Sequence, residues 1–172
     1  MSTSIDRPGQ WAIQARGFRI CCTPFTHNFW ALVEPGGNVI DQLHGLAVNP
    51  KTGKTKAIGN STDLLLVVHD ATIAWSLQPG QPVVVCATDP ETEIRQRWQS
   101  ALNATPAINA LQLPYPNLWQ HFSKMNCNSV FNTLGQIMGF DSPATLLPPI
   151  APGVSLVISQ KIIETYRYMP DA

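Results

Sequence analysis

The chain has 172 residues, enough for one compact domain (1–172) around a sizeable core. Eleven basic and eleven acidic residues cancel and only 13% of residues are charged, so no broad field points to nucleic acid, and no nucleic-acid partner is expected. No apolar run reaches the roughly 18 residues of a spanning helix, and residues 1–11 lack the pattern of a Sec signal peptide. The expectation is therefore synthesis in the cytoplasm, without stable membrane insertion.

Residues 17–23 read as a strand punctuated by Pro24. A second apolar run covers 25–33, followed by Glu34-Pro35-Gly36-Gly37 and then 38–44. Pro followed by Gly suits the centre of a type II turn, so the two runs form a hairpin candidate. Residues 45–60 read as a polar loop, and its Lys51, Lys54 and Lys56 do not make a phosphate-binding loop. Residues 63–75 and 82–87 are β-rich runs, and His69-Asp70 is most simply a strand end. A helix starts near Asp89-Pro90-Glu91 and carries Ile94, Trp98, Ala101 and Leu102 at helical spacing. A further short helix is expected over 107–113, and an irregular aromatic segment over 115–125. The next helix runs from Cys127 to Met138 and stops at Gly139, and 154–168 begins like a strand. Strands in front and helices behind imply an α+β fold, an antiparallel sheet packed against helices. Trp30, Trp75 and Trp98 read as core, whereas Tyr115, Trp119 and Phe122 read as walls of a cleft.

Four cysteines are too few for a disulfide scaffold at this length. Cys21, Cys22 and Cys86 lack zinc-ligand spacing and read as small buried hydrophobes. Cys127 differs, because it sits among polar residues, Asn126-Cys127-Asn128-Ser129, where a helix begins. Oriented N–H groups and the helix dipole there favour a thiolate. Val130, Phe131, Leu134, Ile137 and Met138 form an apolar stripe, which puts the thiol on the buried side. Asn126 is a cap candidate, and the N–H groups of Cys127 and Asn128 are oxyanion candidates. Ser129 competes as a nucleophile, but an unassisted hydroxyl is far weaker than a thiol.

In the hairpin, facing Val33 with Asn38 sets His27 directly opposite His44, with Cβ atoms about 5 Å apart on one face. A two-residue slip brings Gln42 opposite His27 instead, and a one-residue slip turns His44 to the other face. Asp41 faces away. His27 is thus the candidate base and His44 its orienter, with Gln42 as the alternative third member. His121 is a candidate for packing, for lining a substrate groove, or for the base in His27's place.

The stretch His27-Asn28-Phe29-Trp30-Ala31-Leu32-Val33, the Gly37-Asn38-Val39-Ile40 that follows, His44, and the later Asn126-Cys127 resemble the circularly permuted papain-like proteins. That permuted NlpC/P60 group includes the lecithin:retinol acyltransferase-like enzymes. The resemblance covers two patches, about 25–44 and 126–139. It implies a permuted papain-like architecture with Cys127 as nucleophile, His27 as base and His44 as third member. It requires no metal or organic cofactor.

The implied activity is a thiol hydrolase of amidase or endopeptidase type, with Gln42, Asn126, Trp119 and His121 as substrate-binding candidates. The implied substrate is a cell-wall peptide of peptidoglycan. The corresponding setting is a secreted antibacterial effector or toxin, exported by a specialised secretion system and neutralised in its producer by an immunity protein. Two other classes stand beside it. One is a lipid acyl hydrolase or acyltransferase using the same triad on a lipid substrate. The other is a binding module without a reactive thiol.

Overall fold

The computed structural model describes residues 9–20, 23–147 and 150–170. Cys21 and Cys22 lie outside the described residues. The chain forms a mixed α+β fold with strands β1 (Trp11–Arg19), β2 (Thr26–Val33), β3 (Val39–Val48), β4 (Thr55–Lys56), β5 (Leu64–His69) and β6 (Val83–Asp89), and helices α1 (Glu91–Asn109), α2 (Cys127–Ile137) and α3 (Gln160–Tyr166). The sheet runs β4-β3-β2-β1-β6, with β5 also on β3, and every pairing is antiparallel.

β2 explains the layering. Seven of its eight residues are buried, because both faces of this central strand are covered. Trp30 and Leu32 point into the large core with Phe131, Leu134 and Ile137 of α2 and Ile94 and Trp98 of α1. Phe29, Ala31 and Val33 point the other way, into a smaller cluster with Ala12 and Phe18. The Trp30 ring stacks on Phe131 at 4.5 Å between centroids and donates from Nε1 to the Phe131 carbonyl at 2.8 Å. That contact fixes α2 against the middle of the sheet. Gly135 permits it, since a Cβ there would stand 2.5 Å from Trp30 Cζ2.

The hairpin register differs from the expected one. The turn closes from Gly37 N–H to the Glu34 carbonyl, and the positive φ (82°) falls on Gly37 rather than on Gly36. This is the signature of a type I turn followed by a bulge, not of a type II turn. Val33 therefore pairs Val39, and a second irregularity between Leu32 and Val33 brings Trp30 opposite Leu43. Two single-residue offsets add to an even one, so His27 and His44 keep a common face as diagonal neighbours instead of direct partners.

Four further expectations are corrected. β3 continues through Gly45 to Val48, into what read as loop. The start of the helix expected over 107–113 belongs to the single α1, which passes through Pro106 and ends at Asn109, and 110–113 are turn and coil. Residues 154–158 are turns before α3 rather than a strand, with Val154 N–H bonded to the Ala151 carbonyl and Leu156 N–H to that of Gly153. Trp75 is not core: it is 44% exposed, on the three-residue turn Ala74–Ser76. Among the described residues no helix is long and apolar enough to cross a membrane.

Candidate active site

The site lies where the sheet splits. β2 and β5 both pair Leu43, and β4 and β5 both pair Ala47, so β2 and β4 share one edge of β3. β2 leaves that edge after Leu43, and β4 takes it up only at Ala47. The start of α2 fills the interval. Gly45 allows this, because a Cβ there would stand 2.6 Å from Val130 Cβ and 2.9 Å from Cys127 Cα.

Asn128 supplies the pairing that β2 loses at the split. Its Oδ1 accepts from Asn28 N–H at 3.0 Å, and its Nδ2 donates to the carbonyls of Thr26 (3.0 Å) and Pro152 (3.1 Å). The amide thus grips the backbone on both sides of His27. Asn126 caps α2, with Oδ1 accepting from the N–H groups of Asn128 (2.8 Å) and Ser129 (3.4 Å). Ser129 Oγ in turn accepts from Asn126 N–H at 2.7 Å, completing a reciprocal capping box. Asn126 Nδ2 donates to the His121 and Pro152 carbonyls. Asn126 is therefore enclosed and fully committed to the protein, so it frames the site instead of facing a ligand. Asn128 N–H is likewise bonded to the cap, which leaves the N–H of Cys127 as the freer oxyanion candidate of this pair.

On the other side of β2 a buried polar chain runs from His27 to the turn at Ala74–Ser76. His27 Nε2 and His44 Nδ1 are 3.1 Å apart, and His44 Nε2 lies 3.1 Å from Gln42 Oε1. Gln42 Nε2 donates to the Ile73 carbonyl at 3.1 Å, which orients the amide. Ser76 Oγ donates to Gln42 Oε1 as well. The protons follow from this orientation. A carbonyl oxygen only accepts, so His44 carries its proton on Nε2 and presents a lone pair at Nδ1. His27 must then donate from Nε2, and its lone pair resides on Nδ1. That Nδ1 is buried without a hydrogen-bond partner.

Phe18 and Phe29 hold the two imidazoles, stacking on His27 at 4.9 Å and on His44 at 4.4 Å. Burial lowers the His27 pKa from 6.5 to about 3 and the His44 pKa to about 2, with the neighbouring His27 adding to the latter. Both rings are neutral at physiological pH. Gln42 therefore acts behind His44, and the two expected alternatives for the third position belong to one chain.

Cys127 is buried, and burial pushes its thiol up to about 11. The hydrogen bond from the Tyr115 hydroxyl, then the N–H groups of Asn128 and Cys127, oppose that rise without cancelling it. The helix start does favour the thiolate, as expected, but desolvation outweighs it. No hydrogen bond joins the thiol to His27. Tyr115, expected at a cleft wall, is instead a buried partner of the thiol and also reaches the Ala57 carbonyl at 3.5 Å.

Cys127 lines a cavity of about 20 Å³ together with Ile20, Phe25, Ile58, His121, Asn128 and Pro152. His121 is brought to the cavity that Cys127 lines, whereas Trp119 is 90% exposed and takes no part in its lining. Among the described residues no group of three or more His, Cys, Asp or Glu side chains is placed to hold a metal ion. No family model, curated protein or solved structure matches this chain.

Sequence reading missed Ser76, the contact of Tyr115 with the thiol, Gly45 and the grip of Asn128. The repeated asparagine around Cys127 was the available signal for the last. Nothing local marks the other three, whose roles arise from contacts across the fold.

Proposed function

We propose that the protein is a permuted papain-like thiol hydrolase acting on an amide bond, with Cys127 as nucleophile, His27 as base and His44 and Gln42 orienting it. The reading is carried by one observation. The chain Ser76–Gln42–His44–His27 leaves the lone pair of the last imidazole on an unpartnered Nδ1, in the strand whose backbone Asn128 grips beside Cys127. A buried imidazole nitrogen without a partner is uncommon, and a role in proton transfer accounts for it.

In the proposed reaction, substrate entry separates the thiol from Tyr115. Sγ attacks the carbonyl carbon while its proton passes to His27 Nδ1, and the Cys127 N–H holds the oxyanion. The C–N bond breaks as His27 returns the proton to the leaving nitrogen. Water then attacks the thioester and gives a proton to His27. The C–S bond breaks, and the thiolate regains that proton. The proposed substrate is a peptidoglycan peptide, and the proposed setting is a secreted antibacterial effector paired with an immunity protein.

A second reading keeps the same residues but transfers a fatty acyl group. It is favoured by the apolar share of the cavity lining, Ile20, Phe25, Ile58 and Pro152.

The test is amine release from purified peptidoglycan by the parent, Cys127→Ala and His27→Ala, with intact-mass analysis after exposure to phospholipid vesicles. Release by the parent alone supports the amidase. A fatty-acyl thioester on Cys127 without amine release moves the assignment to the lipid reading. If neither product forms and Cys127 alkylates at the same rate in the parent and His27→Ala, the hydrolase reading fails.

A further inference from the structure

The cavity that Cys127 lines, at about 20 Å³, has room for about one water molecule and for no substrate side chain. The space next to it is larger. A groove of about 290 Å³ shares Phe25 and Pro152 with that cavity and is completed by Phe122, Ile150, Ala151 and residues 153–155. Its walls are pinned to the elements that carry the proposed base and nucleophile. Thr26 donates from both N–H and Oγ to the Ile150 carbonyl, at 2.9 and 3.2 Å, which ties one end to β2 beside His27. Asn126 Nδ2 donates to the Pro152 carbonyl at 3.0 Å and to the His121 carbonyl at 2.8 Å. One amide at the start of α2 thus holds the 150–153 wall and the residue before Phe122. Gly153 permits that approach, since a Cβ there would stand 2.5 Å from Asn126 Nδ2. Phe122 meets Phe25 edge-on at 5.4 Å between centroids and is still 65% exposed.

The chemistry of the lining selects its occupant. No charged side chain lines the groove, and Ser155 is its one polar side chain. The carbonyls of 150–153 are already accepting: Ile150 from Thr26, Ala151 from Val154, Pro152 from Asn126 and Asn128, and Gly153 from Leu156. A polar occupant would give up water for few partners there, whereas an apolar one takes phenyl and aliphatic surface out of water. The volume falls just below the usual range of ligand sites, which suits one side chain and is small for a long acyl chain. We propose that this groove is a specificity subsite for one aliphatic or aromatic side chain of the amide substrate, with Phe122 as its specificity-determining residue. This rests on Cys127 as nucleophile and names what stands beside the bond that the thiol attacks.

Competing alkylation tests it with defined probes. The protein is treated with an equimolar mixture of N-heptyl chloroacetamide and the equally long diether in which the third and sixth chain carbons are oxygen. Adducts at Cys127 are counted by peptide mass and normalised to the reactivity of free cysteine. The parent should favour the heptyl reagent by about tenfold, which burial of about two CH2 groups supplies. Phe122→Ser removes an exposed ring and should bring the ratio down to that of free cysteine, whereas Phe122→Leu keeps an apolar wall and should retain most of the preference. Trp119→Ser alters a residue that is also exposed but lies in neither lining, so its ratio should match the parent's. A parent ratio equal to that of free cysteine, a preference that survives in Phe122→Ser or is lost in Trp119→Ser, or no adduct from either reagent overturns the proposal. A further gain of similar size from N-heptyl to N-dodecyl chloroacetamide also overturns it, by assigning the groove to a long acyl chain. His27→Ala separates the two readings, because loss of the base should slow both reagents equally and leave the ratio intact. If it slows neither, the hydrolase reading fails while the ratio still reports on the groove.

Discussion

The two faces of β2 are built on opposite principles. One face sets Trp30 and Leu32 into a continuous apolar core shared with all three helices. The other surrounds His27, His44 and Gln42 with a few aromatic rings and a small apolar cluster, and satisfies them by a single hydrogen-bonded chain. The first face carries stability through the area it removes from water. The second holds a buried polar chain, and it leaves one nitrogen, His27 Nδ1, unsatisfied. An alternating strand supports both tasks because successive side chains never compete for the same space.

Substitutions should separate the faces. Phe131→Ala removes the ring stacked on Trp30, and chemical denaturation should show a loss of about 3–5 kcal/mol. The pH dependence of stability should come next. Both histidines have folded pKa values below their unfolded 6.5, so the unfolded chain binds more protons as pH falls. Stability should be full above about pH 6.5 and decline continuously toward pH 3, by a few kcal/mol. His44→Phe with His27→Phe should flatten that decline, whereas a core variant such as Leu134→Ala should leave its shape unchanged.

Gly45→Ala attacks the join between the faces. Its Cβ would press on Val130 and on the backbone of Cys127, which should cost about 1–3 kcal/mol and displace the nucleophile. Amide hydrolysis should fall further than the melting temperature suggests. Asn128→Ala should have the smallest effect on stability, about 1–2 kcal/mol from lost hydrogen bonds. It should nonetheless change the rate of Cys127 alkylation more than Asn132→Ala, a variant of the same helix whose amide donates to the Leu156 carbonyl instead of to β2. Equal alkylation rates in the two would mean that the grip on β2 does not position the thiol.

The pairing of the two histidines was legible for a local reason. Period-two alternation places His27 and His44 on one face whenever the register is displaced by an even number, so their meeting survived a wrong turn type and a wrong register. The Asn126 cap, the apolar stripe of α2 and the Gly139 stop were readable because they depend on residues within one or two turns. The extension of β3, the passage of α1 through Pro106 and the turns at 154–158 were not, because packing against other elements overrides local propensity there.

From the amino-acid order alone come the strand-then-helix arrangement, the polar start of α2 with its thiol, and the shared face of two histidines, all set by short-range periodicity and capping. The tertiary structure alone decides the remainder. It splits β3 from β2 so that α2 can enter, and it turns Asn128 into a strand partner. It adds Gln42 and Ser76 to the imidazole chain. It also buries Cys127 against Tyr115, so that desolvation, a property of the whole surrounding volume, overrides the helix start and keeps the thiol protonated.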